Sequence, residues 1–251
     1  MPIAPAGPAS ALPAQPFFTS GDQRVALARE RFFEGGQRPS GLVSEAVIQS
    51  WLRCSAGRQN PRRRVEFDPV PRSRMQATVE RSRPLMRAAG AELDSLQQAV
   101  GDSGCRILLT DERGLIVHAS ACADDSRQPT MRIVARRGVD LGEDTVGTNA
   151  PAVVVRTGSA VTVLGAEHYY DCIRELRCAA APIRDGRGQL AGVLDLTVEA
   201  RPFAFDAAAL VGVYATVIEN RLLMQQAREH LLVAFQVDRT MIGSPLQALL
   251  G

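Results

Sequence analysis

Residues 146–197, VGTNAPAVVVRTGSAVTVLGAEHYYDCIRELRCAAAPIRDGRGQLAGVLDLT, decide the fold of this chain. Their apolar spacing and turn residues predict a helix over 148–157, a strand over 160–164, a polar loop over 166–177, and strands over 177–183 and 189–197. Asp185-Gly186 between the last two strands is a hairpin signal, because both residues tolerate the backbone angles of a tight turn. Thr145 or Thr148 is expected to cap the helix and Gly158 to end it.

The flanking segments add helices and a second hairpin. Helices are predicted over 21–33, 43–55 and 72–100, with Ser44 as an N-cap and a break at Pro84. Strands are predicted over 106–111 and 115–120, and the pattern of 130–137 fits either a helix or a strand. Trp51 lies in an apolar stripe and is expected to anchor its helix. Asp206 is expected to cap a helix that runs to about Phe235, is roughly 45 Å long, and packs on the 72–100 helix or on a partner chain. These elements predict an α+β fold, with helices on one side of an antiparallel sheet and a ligand-sized pocket on the other.

Composition excludes several functions. The net charge is only +2, which gives no overall field to hold nucleic acid or an anionic membrane, so we predict neither as a direct partner. All basic residues are arginines. Without lysine, the chain offers neither a P-loop, nor a protein kinase site, nor a Schiff base.

The cysteines and the chain start indicate a cytoplasmic protein with reduced thiols. Five cysteines is an odd number, and they are spread along the chain: Cys54, Cys105, Cys122, Cys172 and Cys178. Residues 1–18 lack the positive charge and apolar core of a signal peptide and are expected to be disordered. The longest nearly apolar run, 207–218, is too short to span a bilayer.

The polar loop is the candidate ligand site. It places hydrogen-bonding groups beside aromatic surface, as the walls of small-molecule sites do. We predict these ligand-binding residues: His168, Tyr169, Tyr170, Cys172, Arg174 and Cys178. An exposed polar loop fits the same composition equally well.

Catalytic and metal chemistry are weaker interpretations of the same residues. His168 and Cys172 are four residues apart, so on a helix they would share a face and could form a thiol–imidazole pair. The interpretation that both simply line a pocket or the edge of the core fits better. Cys172 and Cys178 with His168 are the nearest approach to a metal site, but the C-x5-C spacing is unusual and a fourth ligand is missing. Asp195 and Glu199 lie at a strand end, with no histidine near in sequence. We therefore predict no metal, no cofactor and no enzymatic activity.

Several runs of sequence resemble one family. VGTNA at 146–150, GAEHY at 165–169, LRCAAAPI at 176–183 and GVLDLT at 192–197 are similar to the sensor region of acetoin-catabolism-type sigma-54-dependent transcriptional activators. That region contains a GAF domain. IQSWLRC at 48–54 resembles the segment before this domain, and IGSPLQALL at 242–250 resembles the start of the linker after it.

The resemblance implies a PAS-like GAF domain that binds a small effector on one side of an antiparallel sheet and signals through flanking helices as a dimer. The implied organisation is a disordered tail at 1–20, a helical N-terminal extension at 21–70, a GAF domain with flanking signalling helices at 71–236, and a linker or tail at 237–251. In the family an AAA+ ATPase and a helix-turn-helix follow. This sequence contains neither, so its output is expected to pass through a partner, with an AAA+ activator as the candidate.

The sequence thus favours a cytoplasmic, homodimeric, small-molecule-sensing module in transcriptional regulation, with an unknown small organic effector. Two alternatives remain open. One is a ligand-free dimerisation protein that pairs with a full-length activator. The other is a thiol redox enzyme using Cys172 and Cys178, in the manner of GAF-fold methionine sulfoxide reductases.

Overall fold

The computed structural model describes residues 20–121, 127–227, 233–236, 244 and 247–250. Its helices are α1 (Gly21–Arg29), α2 (Glu45–Ala56), α3 (Arg72–Arg81), α4 (Arg83–Val100), α5 (Pro129–Val134), α6 (Glu143–Val146), α7 (Ala150–Thr157) and α8 (Ala207–Gln226). Its strands are β1 (Arg106–Asp111), β2 (Ile116–Ala119), β3 (Val161–Leu164), β4 (Leu176–Arg184), β5 (Leu190–Glu199), β6 (Val233–Phe235) and β7 (Ala248–Leu250). The tail predicted to be disordered lies outside the described residues, except for Ser20.

The main sheet has five strands in the order β2-β1-β5-β4-β3, and every neighbouring pair is antiparallel. The predicted β1–β2 and β4–β5 hairpins both form. Strand β5 lies at the centre, where Asp195 is level with Leu108 of β1 and Ala180 of β4. The predicted α+β class, an antiparallel sheet with flanking helices, is confirmed.

The two sides of the sheet pack against different groups of helices. Successive side chains of a strand point to opposite sides, so each strand contributes to both layers. On β5, Leu194 and Leu196 face α4 and α8, whereas Val193 contributes to the core on the other face. The apolar side of α4 is buried against this face and consists of Leu85, Ala88, Ala89, Leu93, Leu96 and Val100. Helix α8 also contacts α4 through an ion pair between Arg221 and Glu92.

The other face of the sheet is covered as well. Parts of α1, α2, α5 and α7 share one continuous buried core with the sheet residues Leu108 and Ala180. The helices therefore lie on both sides, and not on one as the sequence suggested. The predicted ligand-sized space is reduced to a small cavity, because the N-terminal extension supplies apolar side chains that fill this side.

The predicted helix caps are partly confirmed. Ser44 Oγ accepts a hydrogen bond from the N–H of Val47 at 3.3 Å, and Asp206 Oδ1 accepts one from Ala209 at 2.9 Å. Helix α7 is instead capped by Asn149, whose Oδ1 accepts from the N–H of Ala152 at 3.0 Å. The prediction of Thr145 or Thr148 was wrong, because Asn149 is the residue with extended backbone directly before the helix.

The prediction that the last helix continues to about Phe235 is wrong. Helix α8 ends at Gln226, so it is about 30 Å long, and Val233–Phe235 form β6, which pairs with β7. The β-branched Val233 and the aromatic Phe235 favour a strand where a partner strand is available. By length and composition α8 is apolar enough to cross a membrane, but core helices meet the same criterion, and one face of α8 is packed against the sheet.

Gly192 of β5 is expected to tolerate no side chain. A Cβ added there would overlap the carbonyl oxygen of Thr110 and Cδ2 of Leu85. We expect Gly192→Ala to lower the free energy of unfolding by about 1–3 kcal/mol in urea denaturation. The control is Gly212→Ala in α8, where a Cβ meets nothing within 4 Å and should raise stability by roughly 0.5–1 kcal/mol. Equal effects of the two substitutions would contradict this packing.

Candidate functional site

A small cavity, here called the sheet cavity, lies between the centre of the sheet and the layer formed by α5, α7 and the loop before β4. The volume open to a water molecule is about 20 Å³, which is room for about one water. The lining is mostly apolar and consists of Leu108, Met131, Val134, Leu141, Val146, Asn149, Pro151, His168, Ile173, Leu176, Cys178, Asp195 and Thr197.

A chain of buried polar groups runs along one wall of the sheet cavity. The Thr197 hydroxyl lies 2.6 Å from Asp195 Oδ2 and 3.1 Å from Cys178 Sγ, and Cys178 Sγ lies 3.4 Å from His168 Nε2. His168 Nδ1 lies 2.9 Å from the carbonyl oxygen of Gly165. Because a carbonyl only accepts, Nδ1 carries the proton, Nε2 is the acceptor, and the Cys178 thiol donates to it.

Burial sets the charge state of this chain. It lowers the pKa of His168 to about 4, with the nearby charge of Arg29 adding to the effect, so the imidazole is neutral at pH 7. It raises the pKa of Cys178 well above the ordinary thiol value and the pKa of Asp195 to about 7. A fully buried, protonated thiol is a structural group and not a nucleophile, which counts against a redox role for Cys178.

The predicted site residues occupy three different environments. His168 and Cys178 line the sheet cavity. The hydroxyls of Tyr169 and Tyr170 instead contact Gln59 of the N-terminal extension, at its carbonyl oxygen (2.7 Å) and at Oε1 (3.2 Å).

The two remaining candidates also lie away from the sheet cavity. Cys172 is exposed, and Arg174 forms an ion pair with Asp171 at 2.6 Å. The alternative pairing of His168 with Cys172 is wrong, because the loop contains two separate 3-10 turns and not one α-helix, and His168 contacts Cys178 instead. The ligand-binding role of all six residues stays a prediction.

Sequence reasoning missed Asp195 and Thr197 as cavity residues. Asp195 was placed at a strand end, whereas it lies in the middle of the central strand and is 1% exposed. The alternation of side chains along a strand was the signal in the sequence that could have identified them. Val193, Asp195 and Thr197 lie on one face of the strand, and the residues between them are apolar. An acidic side chain on a strand buried on both faces is rare and marks a special site.

The N-terminal extension holds the loop that carries His168. The Arg29 guanidinium of α1 donates to the carbonyl oxygens of Ala166 (3.0 Å), His168 (2.6 Å) and Tyr169 (3.2 Å), and to Asp171 Oδ1 (3.1 Å). Trp51 Nε1 of α2 donates to the carbonyl oxygen of Glu167 at 2.8 Å. The loop is thus fixed by side chains far away in sequence.

A second set of contacts ties α2 to α6. The guanidinium of Arg53 donates to both carboxylate oxygens of Glu143, at 2.6 and 2.8 Å. The Ser50 hydroxyl donates to the same carboxylate and also lies 2.7 Å from Thr148 Oγ1. Because Glu143 is buried, this paired charge fixes the position of α2 over the cavity side of the sheet.

A five-stranded antiparallel sheet with helices on both faces and a small cavity beside its central strand is the architecture of a GAF-type sensor domain. Residues 20–219 match the family model described as the MimR N-terminal domain, and the chain belongs to this family. The chain is also 18% identical to the structure titled the E. coli DhaR(N)-DhaL complex, with a TM-score of 0.68 over 73% of this chain and 62% of that one, which supports the fold.

Two of the relatives found by sequence are named as regulators of acetoin metabolism. The chain is 30% identical over 203 residues to the acetoin catabolism regulatory protein of Cupriavidus necator, covering 78% of this chain and 30% of that protein. It is 26% identical over 175 residues to the acetoin dehydrogenase operon transcriptional activator AcoR of Bacillus subtilis, covering 68% and 28%. The chain spans less than a third of the length of these two relatives. The resemblance to the sensor region of acetoin-type activators is confirmed.

Proposed function

We propose that this chain is the signal-sensing part of a cytoplasmic transcriptional regulator and that it binds a small organic molecule in the sheet cavity. The observation that carries the proposal is the cavity itself. It is lined mainly by apolar side chains that are buried, and a few polar groups converge in it, as in small-molecule sites. The regulatory names of the relatives support the same role.

Ligand binding requires the cavity to expand, because its present volume of about 20 Å³ is far below that of most ligand sites. Met131 of α5 is part of its wall, and a flexible thioether side chain is well suited to re-pack around a guest. A ligand that favours the expanded arrangement shifts the population of the domain towards it.

The expected output is through α4 and α8. These helices cover the face of β5 opposite the cavity, so a displacement of the central strand reaches them directly. The outer side of α8 exposes Val213 (42%) and Met224 (45%), which suits a homodimer formed through this helix. The signal then passes to an AAA+ activator, the partner class to which the resemblance points.

Ligand-dependent thermal stabilisation tests the proposed function. We expect at least one compound from a panel of short alcohols, diols, hydroxyketones including acetoin, and small aromatics to raise the melting temperature. At 100 times its Kd, a ligand stabilises the native state by about 2.7 kcal/mol, which corresponds to roughly 5–10 °C for a domain of this size. The matched control is Val134→Leu, whose extra methylene takes up space in the cavity wall and should reduce the shift. A panel without effect, or equal shifts in the control, would count against a ligand in this cavity.

The ligand-free dimerisation protein remains a second candidate. The observation in its favour is that side chains of the chain already fill most of the predicted pocket, including Tyr169 and Tyr170 that pack with the N-terminal extension. This alternative predicts a stable dimer in sedimentation experiments. It also predicts that no compound of the panel changes the melting temperature or the oligomeric state.

A further inference from the structure

We propose that Asp195 is the polar anchor of the sheet cavity and that it restricts the ligand to short, uncharged molecules bearing one hydroxyl or carbonyl group. This inference rests on the proposed function, because it concerns the ligand of the same cavity.

Asp195 has an open hydrogen-bonding position. Its side chain is buried at the centre of the sheet, where Oδ2 accepts from Thr197 at 2.6 Å. Its other oxygen, Oδ1, is buried and has no hydrogen-bond partner among the described residues. Most buried polar atoms in native proteins have a partner, so an unpartnered carboxyl oxygen beside a cavity marks a place for a guest.

The other polar side chains of the sheet cavity are already engaged. Both ring nitrogens of His168 are used, Nδ1 by Gly165 and Nε2 by Cys178. The amide of Asn149 donates to the carbonyl oxygens of Leu141 and Gly147, and its oxygen caps α7. A guest therefore finds its unsatisfied partner at Asp195 Oδ1.

The charge of the lining decides the class of guest. None of the residues that line the sheet cavity is an arginine, so a carboxylate guest would meet Asp195 without a compensating cation. The buried Arg29 is already occupied by four oxygen atoms of the loop. An ammonium guest has three donors, whereas the cavity leaves one acceptor open, so most of its desolvation would go uncompensated.

An uncharged guest suits both protonation states of Asp195. Burial raises the pKa of Asp195 to about 7, so the carboxyl and the carboxylate both occur near neutral pH. The carboxylate accepts from a hydroxyl, and the carboxyl donates to a carbonyl. The rest of the guest would pack against Leu108, Met131 and Val134, which favours a short apolar chain behind the polar group.

A matched set of three-carbon probes tests this inference. Binding of 1-propanol, propionate and propylammonium to the full chain is titrated by ligand-observed NMR, using wild type, Asp195→Asn, Asp195→Leu and the exposed control Asp68→Asn. We expect 1-propanol to bind wild type and Asp68→Asn equally, and propionate and propylammonium to bind at least about tenfold more weakly, the equivalent of one lost hydrogen bond. Asp195→Asn keeps a donor and an acceptor and should retain 1-propanol within about threefold.

Asp195→Leu decides the role of the carboxyl. This substitution removes one acceptor of the Thr197 hydroxyl, which keeps Cys178 Sγ as its other acceptor at 3.1 Å. The variant should therefore be less stable than wild type but still fold, as a urea denaturation curve will verify. We expect it to bind 1-propanol at least about tenfold more weakly than wild type. Equal binding of 1-propanol by Asp195→Leu, or equal binding of propionate and 1-propanol by wild type, would overturn the role of Asp195 while leaving the sensor function standing. No binding of any probe, together with a silent thermal panel, would overturn both.

Discussion

A Trp51→Ala variant is expected to lose about 3–5 kcal/mol of unfolding free energy, the cost of removing a large aromatic side chain from a packed core. Trp51 of α2 is completely buried, and its ring centroid lies 5.3 Å from those of Phe32 and Phe33. Its indole N–H donates to the carbonyl oxygen of Glu167, so the substitution also removes a buried hydrogen bond. Urea denaturation followed by circular dichroism measures the loss.

The neighbouring Leu52→Ala is the matched control. Leu52 belongs to the same helix but is 39% exposed, so its truncation should change stability by less than about 0.5–1 kcal/mol. A loss below about 1 kcal/mol for Trp51→Ala would mean that the N-terminal extension contributes little to the core that it shares with the sheet. The unfolding transition of wild type should be single, because that core is continuous.

An Arg29→Met variant is expected to lose about 2–4 kcal/mol of unfolding free energy, because buried carbonyl oxygens of the loop lose the charged guanidinium that donates to them. Burial and the nearby Arg174 lower the pKa of Arg29 to about 10, so its guanidinium is still charged at pH 7. Methionine keeps much of the aliphatic length but leaves three carbonyl oxygens of the loop without this donor, whereas Asp171 keeps its ion pair with Arg174. Amide exchange of residues 165–174 should accelerate more than that of α4 and α8.

Arg31→Met provides the comparison for Arg29. Arg31 follows two residues later but is exposed, and its substitution should leave both stability and loop exchange within about 0.5 kcal/mol of wild type. If Arg29→Met behaved like Arg31→Met, the loop would be fixed by its own turns and by Trp51, and the guanidinium contacts would be secondary.

Local signals predicted most of the fold. Ser44 and Asp206 were identified as caps because a short polar side chain before an apolar stripe satisfies free N–H groups at a helix start. The break at Pro84 was predicted for a similar reason, since α4 begins at Arg83 with the proline in its first turn. The boundary of α8 was not predicted, because its end depends on a strand pairing with residues far along the chain.

The candidate site was harder to predict because it is assembled from distant parts of the chain. His168 and Cys178 were named from composition, but their contact follows from two 3-10 turns that spacing alone does not reveal. The importance of Asp195 depends on the register that places it between Leu108 and Ala180. Tyr169 was predicted to face a ligand, but its hydroxyl contacts Gln59, a residue 110 positions away in sequence.

The central claim is that a small molecule binds between the sheet and the loop before β4. Hydrogen–deuterium exchange, with and without the panel compound that raises the melting temperature most, tests it directly. We expect slower exchange in β4, β5 and residues 165–176, with a smaller change in α4 and α8. Protection confined to the open groove at the end of α4, around Gln97 and Arg201, with β4 and β5 unchanged, would contradict the claim.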